Sequence, residues 1–592
     1  MLLPSLVALL AFLAVRKAHA AENKTYHNPV LPGFHPDPSC VLVTEWNDTF
    51  FCATSSFNAV PGVPVFASRD LQNFRQIGNV ITREDQLPGL ATTNGSTGGI
   101  WAPTIRYHND TFFVVTTLVY DNKTANDTSR WDNIIFQTSN PYDSSLWSDP
   151  VHFEFEGYDT SPYWDANGTS YIVGSHAWKI EEMIKGFQLD FITGDIIGDV
   201  HDLWPGEGGI APEAPHLFLR DDGYYLMIAE GGTGLGHEVN MAKAPAMWGS
   251  YEGAPRNPLL TAANTTAPFQ TVGHADLFQD TQGNWWAVAL STRSGPGYVY
   301  YPMGRETTLT PAAWPQGDYP VFDVVNGTES GPLPPVNKDI DSDGYWVGEA
   351  SETLTFPKGS SLPYHLVHQR FPDPSAYLTG QTVLGHHDSL ALVPSATNLT
   401  GPDGRTAPTP QTFVGRRQEH IEFSFNVNVF FNATEDGAEA GITVFLNQGQ
   451  HFDLGVVTLS AESARAAGYT INDFSNTTDI ARYIRLRTIT ANSTNEGASD
   501  PLSGPAILPL PDTRAEEPLK LQVEAVNYTT YEFRYASRDT DSWTTVGWGN
   551  SSQVSGGFVG TIVGLFASGN GVNVSTPAYF WDWAYEGNPN VI

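Results

Sequence analysis

One pattern of apolar and polar positions recurs five times in the first half of the chain. Each copy opens on a polar or aromatic residue and takes a small or proline step. It then runs through an apolar strand, turns on polar residues and resumes on an aromatic pair. The copies are DPSCVLVTEWNDTFF from Asp37, WAPTIRYHNDTFF from Trp101, DTSPYWDANGTSYI from Asp159, EAPHLFLRDDGYY from Glu213 and HADLFQDTQGNWW from His274, with starts 64, 58, 54 and 61 residues apart. A hairpin with further strand-like sequence, repeated at this period, predicts the blades of a propeller, because each unit has an apolar face that only its neighbours cover. A sandwich of hairpins would repeat every ~8–12 residues instead. Five copies predict five blades over residues 21–330.

The pattern shifts after about Asn326. NGTESGPLPPVNKDIDSDG is rich in Pro, Gly and Asp and predicts a linker over 331–351. From 352 to 592 strand signals continue without the blade motif. HIEFSFNVNVFF alternates with period two, and AGITVFLNQGQHFDLGVV and TPAYFWDWAYEG read as further strands, so a single antiparallel β-sandwich is predicted. The fold class is all-β, a five-bladed β-propeller followed by a β-sandwich.

If the copies are equivalent, Asp37, Trp101, Asp159, Glu213 and His274 occupy one place in each blade, the start of the strand beside the axis. Five such residues converge on one end of the central channel. Solvated charges would scatter over the turns, so three carboxylates, an indole and an imidazole at a repeat position predict an axial pocket. Asp37 lies between Pro36 and Pro38, which stiffen its backbone. Asp165, Asp221 and Asp222 fall in turns and read as solvated turn formers. Glu207, in PGEGG, lacks the repeat position. The aromatic doublets read as core strand residues.

Composition narrows the function. A chain of 592 residues exceeds one core. A formal charge of −34 repels phosphate backbones and argues against a nucleic-acid partner. Residues 2–15 are apolar but short for a membrane span, and Ala18-His19-Ala20 matches a small-x-small cleavage site. Residues 1–20 therefore read as a secretory signal, and an uncleaved anchor is the alternative because Arg16-Lys17 follows the apolar run. The 16 N-x-S/T sequons from Asn23 to Asn573 agree with a secreted, extracellular glycoprotein. The only cysteines, Cys40 and Cys52, flank a hairpin turn at Trp46-Asn47-Asp48 and read either as a disulfide or as two buried thiols. His274 has no second ligand at metal spacing, so no direct metal site is expected.

Two separated carboxylates suffice for glycoside hydrolysis, one giving a proton to the leaving oxygen and the other attacking or activating water. A third raises the acid's pKa by like charge, and an aromatic face suits the apolar side of a sugar ring. A glycan-binding propeller without chemistry is the alternative class, but it has no need of three carboxylates at the repeat position.

These residues carry a resemblance. NPVLPGFHPDPS, ATSSF, WAPTI, GYDTS, PEAPHLF, YYLMIAEGGT, GHADLF and PMGRET together resemble glycoside hydrolase family 43, from Tyr26 almost to the end of the chain. The resemblance implies a catalytic propeller with a concanavalin-like sandwich and inverting, exo-acting hydrolysis of α-L-arabinofuranosides or β-xylosides. It implies Asp37 as general base, Glu213 as general acid and Asp159 as the residue tuning that acid. Phe57 and Trp101 would shape the sugar subsite, Thr233 and Arg305 would hydrogen-bond near the reacting ring, and His35 would line the pocket or pack as a loop residue. No cofactor is required, although relatives often hold a calcium ion through water near the position of His274. The family's E-G-P-H here reads Glu213-Ala214-Pro215-His216, and its D-P-[SD] reads Asp159-Thr160-Ser161. QTVGHADLFQD, NWWAVALSTRSGP and YPMGRET are most similar to fungal arabinoxylan arabinofuranohydrolases, some of which debranch doubly substituted xylose. The expected enzyme is a monomer acting on arabinoxylan or xylo-oligosaccharides, with no membrane or nucleic-acid partner, and β-xylosidase is the alternative activity.

Overall fold

The structure, a computed structural model, describes residues 23–220, 223–406, 409–467, 480–490, 507–510, 517–537 and 542–591. Residues 1–20, read above as a secretory signal, and Asp221 and Asp222 lie outside the described residues.

Five antiparallel sheets follow one another along the chain, each ordered outward from its first strand. Their first strands are Ser39–Val43, Gly99–His108, Gly157–Trp164, Glu213–Arg220 and Phe269–Gln279. Each of these opens one of the sequence repeats, and each pairs in a hairpin with the strand that carries the aromatic doublet or its equivalent. Phe51, Phe112, Tyr225 and Trp286 from those doublets are fully buried, which makes them core residues that fill the space between blades. In the first hairpin Cys40 pairs directly with Cys52, and the two form a disulfide.

The repeats are offset by one residue from their expected equivalence. The position with a left-handed backbone is Asp37 (φ 53°), Ala102 (φ 37°), Asp159 (φ 52°), Ala214 (φ 54°) and His274 (φ 41°). Trp101 and Glu213 each stand one residue earlier. The first strands of the second to fifth blades share the same bulge, with register shifts at Trp101/Thr104, Tyr158/Ser161, Glu213/His216 and Gly273/Ala275, so Trp101 and Glu213 match Tyr158 and not Asp159. Spacing to the aromatic doublet hides the offset because it also counts the hairpin turn, which is short between His108 and Thr111 and between Arg220 and Gly223 and longer between Trp164 and Ser170.

The ring closes through the segment leading to Asp37. Lys24–His27 pairs with Thr328–Gly331, and Asn28 exchanges side-chain hydrogen bonds with the backbone of Leu309 in the fifth blade. Residues 332–350 contain no strand and run across the first blade, where Gln76 N–H donates to the Tyr345 carbonyl and Ile340 joins that blade's apolar core.

Beyond this segment, an eight-stranded and a six-stranded antiparallel sheet form the sandwich. Phe423, Phe425, Val427 and Val429 bury the apolar face of one strand, as the alternation predicts. Phe34, Phe57 and Ala59 of the propeller belong to the same apolar cluster as the sandwich interior. The backbones also meet closely: a Cβ on Gly560 would lie 2.1 Å from the Met303 carbonyl oxygen, and Thr561 N–H donates to the Pro302 carbonyl at 2.7 Å.

Candidate active site

The axial ends of the blades gather Asp37, Asp159, Glu213, His274 and Arg305. Asp37 is 5 % exposed. Ser55 Oγ donates to its Oδ2 at 2.6 Å and Arg305 Nη1 to its Oδ1 at 3.1 Å. Burial alone would raise its pKa, but Arg305, His274 and the Ser55 hydrogen bond outweigh burial and hold it below the ordinary carboxylate value. Arg305 Nη1 also donates to Thr233 Oγ1 at 3.1 Å, which brings together the pair that the resemblance set beside the reacting ring. His274 Nδ1 lies 3.6 Å from Asp37 Oδ1 and 3.8 Å from Asp159 Oδ2, and burial lowers its pKa.

The other two carboxyls are pushed the opposite way. Burial, followed by the charge of Asp37, raises Glu213 to about 8, against opposition from Arg305 and the Tyr158 hydroxyl that donates to it. Burial, followed by the charges of Glu213 and Asp37, raises Asp159 well above its ordinary value. The pair therefore holds a proton at neutral pH while Asp37 stays charged. Ala214 N–H donates to Asp159 Oδ2 at 3.1 Å. Ala214 stands where the family has glycine, at a positive φ that glycine adopts without strain; its N–H still reaches Asp159.

Three aromatic rings wall the site. Phe57 and Trp101 have centroids 6.2 Å apart, and Phe558 of the sandwich lies 5.9 Å from the first and 5.8 Å from the second. Phe57 is held at φ 48° by paired backbone hydrogen bonds with Ile100. Arg305 lies over Phe558 at 4.9 Å and donates from Nε to its carbonyl at 3.1 Å. Sequence reasoning missed Phe558, Ser55 and Tyr158. Tyr158 was within reach, as the neighbour of Asp159 in GYDTS. Nothing in GGFVG points about 250 residues back to Arg305.

His35 does not join the carboxylates. It is 2 % exposed and packs edge-on against Phe66 at 4.9 Å, so it is a packing residue behind the loop that carries Asp37. Glu207 is exposed, with its carboxylate accepting from Asn257 Nδ2. Asp165 caps its own turn through the N–H groups of Asn167 and Thr169.

One layer deeper, Asp276 accepts from Arg106 Nη1 and Nη2 at 2.7 and 3.0 Å and from Ser39 Oγ at 2.7 Å, and Arg106 Nη2 lies 3.1 Å from His216 Nδ1. Asp276 is thus committed to a guanidinium. Among the described residues, no group of three or more His, Cys, Asp or Glu is arranged to hold a metal ion. An ion held only through water needs no such cluster, so a calcium ion near His274 stays an expectation.

Known proteins agree with this architecture. Residues 26–320 match glycosyl hydrolases family 43, and residues 359–586 match the beta xylosidase C-terminal concanavalin A-like domain. A non-reducing end alpha-L-arabinofuranosidase of Bacteroides ovatus is 30% identical over 574 residues, covering 95% of this chain and 94% of its own. The chain belongs to glycosyl hydrolase family 43. It is a glycosidase that hydrolyses O-glycosyl compounds. A xylosidase/arabinosidase of Butyrivibrio fibrisolvens is also 30% identical, over 94% of this chain and 98% of its own. Among solved structures, a family 43 protein of Bacillus licheniformis superposes with a TM-score of 0.78 at 28% identity, over 95% of this chain and 100% of its own.

Proposed function

We propose that this glycosidase is a secreted, inverting exo-enzyme that removes terminal α-L-arabinofuranosyl residues from arabinoxylan, including those on doubly substituted xylose. The observation that carries the reading is the split among three buried carboxyls: Asp37 is held charged by Arg305 and Ser55, and the Asp159–Glu213 pair retains a proton. Asp37 takes a proton from a water that attacks the anomeric carbon. Glu213 gives its proton to the leaving oxygen as that bond breaks. Burial and the charge of Asp37 keep Glu213 protonated, Asp159 tunes the acid by sharing that proton, and no covalent intermediate forms. Arg305 and Thr233 hydrogen-bond the bound ring, while Phe57, Trp101 and Phe558 face its apolar side.

Three rings wall the axial site, and in this reading it takes one terminal sugar, hence exo action. The arabinofuranosidase of Bacteroides ovatus supports the choice of sugar. The C-terminal match to a beta xylosidase domain favours a second reading, β-xylosidase on xylo-oligosaccharides. The disulfide and the apolar 2–15 segment support secretion. The protein acts as a monomer in this reading.

Digesting wheat arabinoxylan and linear xylo-oligosaccharides side by side separates the two activities. Arabinose from the first and little xylose from the second is expected. Efficient cleavage of unsubstituted xylobiose with no arabinose from arabinoxylan would overturn the proposal.

A further inference from the structure

His237 immediately precedes the third strand of the fourth blade, Glu238–Ala244, and is fully buried against the catalytic pair. Its Nδ1 lies 2.9 Å from the backbone carbonyl oxygen of Thr271. A carbonyl only accepts, so Nδ1 carries the proton. Burial lowers the imidazole pKa to about 3, so the ring is neutral. Nε2 is then a bare lone pair. It is buried, has no hydrogen-bond partner, and lies 3.7 Å from Glu213 Oε1.

An ionised Glu213 would offer this nitrogen only further lone pairs, whereas a protonated Glu213 would offer it an O–H. Asp159 receives the Ala214 N–H and Glu213 the Tyr158 hydroxyl, each favouring the charged form, so the bare Nε2 is what sets Glu213 apart. We infer that His237 is a positioning residue that directs the proton shared by Asp159 and Glu213 onto Glu213, through a tautomer fixed by the Thr271 carbonyl.

Two backbone features hold the ring in place. Thr271 has φ 56°, and its hydroxyl is hydrogen-bonded to that of Thr292 at 2.8 Å. Gly273 leaves room for the imidazole, since a Cβ there would lie 2.5 Å from the ring. The other groups facing Glu213 are accounted for. The Tyr158 hydroxyl and the Arg305 charge favour its ionised form, while the charge of Asp37 opposes it. Asp159 shares the proton. His274 is neutral and faces Asp37 and Asp159. None of these places an unprotonated acceptor beside Glu213 as His237 does.

The inference rests on Glu213 being the acid of the proposed mechanism, and the test keeps the two apart. The pH dependence of kcat/KM is measured for the wild type, His237→Leu, His237→Gln and Glu213→Gln, on a natural oligosaccharide and on a dinitrophenyl glycoside whose leaving group needs no acid. Infrared titration follows the carboxylic C=O band that Glu213→Gln removes. The leucine variant is expected to lower the alkaline limb by about 1 pH unit, the scale on which a lost local interaction moves a carboxyl. The glutamine variant, whose amide can turn an N–H to the carboxyl, lowers it at least as far. The losses are larger on the oligosaccharide, and the Glu213 C=O band disappears at lower pH. If His237→Leu does not fold, Gly273→Ala displaces the same ring and is read in the same way. An unmoved limb and an unmoved C=O band, with Glu213→Gln inactive on the oligosaccharide, would overturn the role of His237 alone. Full activity of Glu213→Gln on the oligosaccharide would overturn the assignment of the acid, and this inference with it.

Discussion

Arg305 Nε donates to the backbone carbonyl of Phe558 at 3.1 Å, while the same guanidinium reaches Asp37 Oδ1 at 3.1 Å from Nη1. A sandwich residue thus orients the cation that keeps Asp37 ionised. Phe558 also completes the aromatic wall with Phe57 and Trp101. The two folds therefore share one site as well as one apolar core.

Removing the sandwich should then remove activity. A fragment ending near residue 330 would expose Phe34, Phe57 and Ala59 and leave Arg305 without the Phe558 carbonyl. It is expected to be insoluble or inactive, as assayed by expression and turnover. A soluble fragment with full activity would contradict the shared site.

Phe558→Ala in the full chain tests the contact more gently. The ring is half-buried and the backbone carbonyl remains, so folding should survive. A misplaced Arg305 and an opened wall should lower kcat/KM by about 10- to 100-fold. Comparing kcat/KM with thermal stability separates this loss from unfolding.

Asp37→Asn and Glu213→Gln should each lower turnover on an oligosaccharide by about 10²–10⁴-fold, the usual worth of a general base or acid. Only Glu213→Gln should be spared on a substrate with a dinitrophenolate leaving group. Near wild-type turnover of either variant on the oligosaccharide would remove that residue from the mechanism.

The pH profile follows from the directions of the shifts. The base must be ionised, so activity appears as pH rises through the Asp37 pKa, which lies below its ordinary 3.8. The acid must be protonated, so activity falls as pH rises through the Glu213 pKa of about 8. The expected curve of kcat/KM is a broad bell with a plateau through mildly acidic pH. Asp159→Asn removes the carboxyl that shares a proton with Glu213 and should move the alkaline limb downward.

Following the released sugar by NMR at early times should show an inverted anomer. Inversion requires room for a water between base and acid, a carboxyl separation of about 6.5–9.5 Å. Retention of configuration would rule out the water-activating role of Asp37.

The sequence by itself determined the repeat and with it the blades. Apolar strands, polar turns and aromatic doublets recur because each blade must cover its neighbour with the same kind of surface, and local pattern records that need. It also marked Asp37, Asp159 and Glu213, since carboxylates at one repeat position have nowhere to go but the axis. The tertiary structure decided what those carboxylates are. Glu213 stands one residue ahead of the left-handed position that Asp159 occupies, an offset that unequal hairpin turns hide in the spacing. His35, a neighbour of Asp37 in the chain, turns away to pack on Phe66. The charge of each carboxyl is set by burial and by groups distant in the chain: Arg305 and Ser55 at Asp37; Asp37, Arg305 and Tyr158 at Glu213; Arg106 at Asp276. Phe558 enters from another domain. Burial and charge depend on what surrounds a group in space, and the chain brings those surroundings together only when the propeller closes and the sandwich docks.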